Sequence, residues 1–122
     1  MNSEGFNQLI EEQLNRCKKL LTVKNDEYAQ KTDRLSNFRQ PSSLLGMCPA
    51  EVAFCYDTKH IASIQKIVHE ISEGKFPTKE LWEEKITDYL NYGLLMNACV
   101  MEALKKKEEQ EYYADKEYDE EY

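Results

Sequence analysis

At 122 residues the chain has room for one domain with one core. Hydrophobic residues make up 41 % of it and charged residues 32 %, which excludes a disordered chain, and no apolar run approaches the ~20 residues that cross a bilayer. Residues 108–122 hold eight of the 23 acids and one of the 16 bases, so this tail carries the whole net charge of −7 and leaves the body neutral, with no basic excess for nucleic acid.

The N-terminal run MNSEGFNQLIEEQ has no basic stretch followed by an apolar block, so no signal peptide is expected. The expectation is a cytoplasmic, soluble protein. A first helix is predicted from about Phe6 to Gln30, with Ser3 as its N-cap. Phe6, Ile10, Leu14, Cys17, Leu21 and Tyr28 recur at three- or four-residue spacing, and this stripe should face the core. Residues 31–48 break the pattern with Pro41, Gly46 and short polar residues. Loops of this length are more often functional than passive; Leu35, Phe38, Leu44 and Leu45 should pin this one down, with room for a short helix of its own.

Pro49 suits the first turn of a second helix running to about Ser72, with Val52, Ala53, Tyr56, His60, Ile64, Ile67 and Ile71 on one broad side. Gly74 stops it, and Thr78 is the expected N-cap of a third helix. From Ile86 onward that helix is apolar around most of its circumference, as a central helix should be. Beyond Ala114 the acidic tail should fray. The reading is an all-α bundle of three to four helices, a domain over 1–107 and a Tyr-rich acidic tail over 108–122. Cys17, Cys48, Cys55 and Cys99 show no CxxC spacing and read as reduced, mostly core residues.

The informative residues are charges that interrupt the apolar stripes. Lys24 and Glu27 do so beside Tyr28. Glu84, Asp88 and Asn91 share one face of the third helix with Leu95, and Lys59 and His60 lie midway along the second. A buried carboxylate must find a cation, a metal or donors. In an antiparallel bundle the helix middles meet, so Lys24, Glu27, Lys59, His60, Glu84 and Asp88 could converge, with Asp33 and Asn37 supplied by the loop. A ligand site and an internal polar network both fit this pattern. His69 points away from the Ile64–Ile71 line, toward solvent. No glycine-rich phosphate loop, GxSxG or HExxH is present.

The order LTVKNDEYA, DRLSNF, KHIASI and EEKITDYLNYGLLMNA, from about Leu20 to Leu104, resembles small phage and prophage proteins labelled nucleotide modification associated domain 1. The resemblance implies a helical domain, at times encoded near enzymes of nucleotide metabolism. It marks Lys24, Glu27, Tyr28, Asp33, Asn37, Phe38, Lys59, His60, Glu84, Asp88, Asn91 and Tyr92. The architecture is also similar to MazG-like all-helical nucleotide pyrophosphatases, which bind magnesium through carboxylates on paired helices. Here EEQLN at Glu11 lacks the last acid of their EExxE pattern, and Lys85 occupies the place where they carry a carboxylate three residues before Asp88.

Two functions follow as expectations. In the first, Lys24 and Lys59 take phosphate; Glu27, Glu84 and Asp88 hold magnesium if a metal is used; Tyr28, Phe38 or Tyr92 stack on a base. Asp33, Asn37, His60 and Asn91 complete the ligand set. The chain is then a nucleotide-metabolism accessory, a sequestering counter-defence factor or a pyrophosphatase-like hydrolase, working as a homo-oligomer such as a dimer in the host cytoplasm. In the second, the tail's eight acids with Tyr112, Tyr113, Tyr118 and Tyr122 imitate nucleic acid and inhibit a host protein; a solubilising role suits the same composition. Neither reading involves a membrane or direct binding of nucleic acid.

Overall fold

The computed structural model describes the backbone of residues 1–28 and 33–120, and the side chains of all of these except 23–28 and 118–120. Four helices follow one another: α1 (Ser3–Tyr28), α2 (Ser36–Leu45), α3 (Pro49–Ser72) and α4 (Lys79–Glu120). No strand occurs among the described residues, and none of these helices is long and apolar enough to cross a membrane. The chain is therefore an all-α bundle. Its long connection carries a short helix, α2, and predicted residues Ala29 and Gln30 of the first helix lie outside the described residues.

Each boundary has a local cause. Asn2, not Ser3, caps α1: its side-chain oxygen accepts from the Gly5 amide at 2.8 Å, because Ser3 is already the first helical residue. Asp33 accepts from the Leu35 amide at 3.1 Å and so turns the chain into α2. Gly46 ends α2 at φ 67°, a left-handed conformation that favours glycine. Pro49 opens α3, where its missing N–H costs nothing. Gly74, at φ 84°, closes that helix. The Thr78 hydroxyl then accepts from the Leu81 amide at 3.1 Å and caps α4.

The core lies where α2 covers α3 and α4. Leu35, Phe38, Val52, Ala53 and Cys99 are buried there, and Met47, Tyr92, Leu95 and Met96 pack around them. The helix α4 packs against both α3 and α1, while α2 rests on α3. Arg39 locks this end. It donates to Asp33 through Nε and Nη2 and to Glu102 of α4 through Nη2 at 2.8 Å. The guanidinium holds both carboxyls below their ordinary range, and they hold Arg39 charged in return.

Leu35 and Phe38 pin the long connection as expected, but Leu44 and Leu45 do not, standing 78 % and 66 % exposed at the end of α2. Three larger expectations also need correction. The α1 stripe is not core: Cys17 is buried, but Phe6, Ile10 and Leu14 are 54 %, 42 % and 58 % exposed. The reason is that α1 touches the rest of the chain mainly along one edge of α4. A polar circuit makes that contact: Arg16 donates to Gln13 at 2.8 Å, Gln13 donates to Thr87 at 2.9 Å, and Thr87 donates to the Glu83 carbonyl. Second, the tail does not fray at Ala114. α4 continues to Glu120, supported by the Lys107–Glu111 pair at 3.9 Å and by Lys116 over the Tyr112 ring. Third, only Cys17 and Cys99 are core cysteines; Cys48 and Cys55 are exposed, since they lie at the start of α3 and on its outer face.

Candidate functional site

The helices α3 and α4 run together as a hairpin closed at Gly74, so the middle of α3 meets the first half of α4. There Tyr56 and His60 of α3 meet Tyr92 of α4, with Asp57 and Asp88 near the Tyr92 phenol and Asn91 one residue before it in the chain. The His60 ring stands 4.9 Å from that of Tyr92 at a 35° tilt. Tyr56 and Tyr92 meet edge to face at 6.3 Å, and Phe38 of α2 lies 6.0 Å from Tyr56 and 6.5 Å from Tyr92. Phe38, Tyr56 and Tyr92 thus form one ring cluster, and the His60 imidazole joins it through Tyr92.

Polar atoms here are short of partners. Asp57 is 3 % exposed and Asn91 5 %. Oδ1 of each, and Nε2 of His60, is buried without a hydrogen-bond partner among the described residues. A buried acceptor left unpaired costs about 1–3 kcal/mol, so native chains rarely keep one without a use for it. Burial raises the Asp57 carboxyl above its usual range, with the neighbouring His60 pulling the other way. Burial also raises the Tyr92 phenol, reinforced by Tyr56, Asp88 and Asp57. Asp57 and Asn91 therefore ask for donors or a cation, and the tyrosines offer flat apolar faces.

The predicted residues separate into groups. His60, Asp88, Asn91 and Tyr92 are brought together. Phe38 is at the same place but only 4 % exposed, so it supports the rings from within the core and offers no free face. Asp33 is committed to Arg39 and the Leu35 amide, away in the lock on Glu102. Asn37, Lys59 and Glu84 are exposed. The side chains of Lys24, Glu27 and Tyr28 lie outside the described residues. Among the described residues, no three of His, Cys, Asp and Glu stand together to hold a metal. Glu84 and Asp88 belong to no such group, and Glu27, the third expected magnesium ligand, has its side chain outside the described residues.

Sequence reasoning missed Asp57, although a signal was present. Ala53, Asp57, His60, Ile64, Ile67 and Ile71 follow one another at four, three, four, three and four residues, so Asp57 extends the His60 line back by one turn. Placing Tyr56 on that face shifted the reading by one residue: Tyr56 is 40 % exposed and Asp57 buried. No protein-family model, curated protein or solved structure matches the chain.

Proposed function

We propose that the seam between α3 and α4 binds a small nucleotide or nucleotide-derived ligand, the chain serving as a nucleotide-metabolism accessory or as a sequestering factor. The supporting observation is the pair of buried, unpartnered acceptors, Asp57 Oδ1 and Asn91 Oδ1, set among the rings of Tyr56, Tyr92 and His60. A nucleobase offers what such a seam lacks, namely amino and ring N–H donors at its edge and a flat face for an aromatic ring. Lys59, exposed one residue before His60, supplies a cation for a phosphate in this reading. The resemblance to phage nucleotide-associated proteins points to the same ligand class.

The test is calorimetric titration of the purified protein with nucleoside mono-, di- and triphosphates and cyclic dinucleotides. Each is run with and without magnesium, with chromatography of the mixture for breakdown products. Binding of at least one nucleotide by the wild type, weakened tenfold or more in Asp57→Asn and Asn91→Leu with helicity retained, is the expected result. Failure of the whole panel to bind, or undiminished binding by both variants, would overturn the assignment. Turnover that requires magnesium would make the chain a hydrolase; binding without turnover would make it a carrier or sponge.

A further inference from the structure

The apolar stripe of α1 has no cover within the chain. Met1, Phe6, Leu9, Ile10 and Leu14, with Leu90 of α4, line an open groove of about 460 Å³. One turn along α4 from Leu90, Leu94 is 48 % exposed. α1 is held to α4 by the Arg16–Gln13–Thr87 circuit and a 3.8 Å Arg16–Glu83 pair along its polar edge, while its apolar face meets water. With about 150–200 Å² for each large side chain, the exposed parts of Met1, Phe6, Leu9, Ile10 and Leu14 come to roughly 500 Å². Leu94 and the stems of flanking charged residues bring this face within reach of the about 800 Å² that a standard interface takes from each partner.

The charges on α1 identify the occupant. Glu4, Glu11 and Glu12 belong to its first half; Arg16, Lys18 and Lys19 follow the midpoint of the stripe. We infer that this face is covered by a second copy of the chain, with the two α1 helices antiparallel about a twofold axis close to Leu14. In that arrangement Glu11 of each copy, at the rim of the stripe, faces Lys18 of the other, and the leucines and isoleucines of the two stripes interdigitate. A parallel pairing would set acid against acid and base against base. A single self-complementary patch is what a twofold dimer requires.

Sedimentation velocity over micromolar concentrations tests this. The wild type is expected at twice its 14.4 kDa chain mass. Leu14→Lys places two like charges at the axis and should weaken association at least tenfold; because Leu14 is 58 % exposed, its circular dichroism should match that of the wild type. The orientation is read from a pair of charge reversals. Glu11→Lys and Lys18→Glu should each associate at least tenfold more weakly alone, and their equimolar mixture should recover the dimer. A monomeric wild type, a Leu14→Lys dimer of unchanged affinity, or reversed variants that do not rescue each other would overturn the inference.

Discussion

Replacing Asn91 by leucine should make the protein more stable and abolish ligand binding. Asn91 is 5 % exposed, and its Oδ1 has no partner among the described residues, so the folded state carries the desolvation cost of an unpaired amide oxygen. That cost is about 1–3 kcal/mol. Leucine keeps the same branching at Cγ, has no polar atom and a higher helix propensity by a few tenths of a kcal/mol, while its larger methyl groups offset part of the gain. For a chain of this size, a gain of that order should raise the melting temperature by roughly 5–10 °C. A nucleotide present at about 100 times its dissociation constant should stabilise the wild type by about 2.7 kcal/mol and the variant not at all. Thermal unfolding followed by circular dichroism, with and without the nucleotide, measures both effects. A fall in melting temperature would show that the Asn91 amide is satisfied in the native state. A retained ligand shift would remove it from the site.

The titrating groups give opposite pH dependences. Burial lifts Asp57 above its ordinary 3.8, so its favourable term is complete below that value and is lost as pH rises through the folded-state pKa; Asp57→Asn should flatten this decline in urea midpoints. Asp33 and Glu102 are held low by Arg39, so their contribution is present above their ordinary 3.8 and 4.5 and is lost as pH falls through the folded-state values. Arg39→Met should remove that acid limb and lower neutral stability only slightly, because the pairs are about one-third exposed and screened by solvent. A thiol reagent should titrate Cys48 and Cys55 quickly in the native protein, and Cys17 and Cys99 only after unfolding. Truncation after Lys107 should leave the unfolding midpoint nearly unchanged while lowering helical ellipticity, because residues 108–117 are all exposed.

The helices were legible because their punctuation is chemical: Pro49, Gly74 and Thr78 each occupy the position their backbone needs would assign. The face that α1 buries was not legible. Periodicity groups Phe6, Ile10 and Leu14 on one side but does not say whether that side meets the same chain, another copy or water. The candidate site was half legible for a related reason. His60, Asp88, Asn91 and Tyr92 stand out as polar or amphipathic interruptions of apolar lines. Asp57 lies beside Tyr56, and one residue of rotation decided which of the two was taken for core. Asp33 shows the converse limit: a carboxylate in a long loop reads as an available ligand until Arg39, six residues on, occupies it.

The length of α4 has a consequence for encounters with other molecules. Its 42 residues extend about 63 Å at 1.5 Å per residue, against about 36 Å for the 24 residues of α3. Because the formal charge beyond Lys107 equals that of the whole chain, the molecule is a neutral head bearing an anionic rod. The carboxylates gather at the helix C-terminus, where the backbone dipole is already negative, so the two fields add along one axis. Such a molecule turns before it docks: any cationic surface should meet the Tyr112–Tyr113 end first, with the head trailing behind.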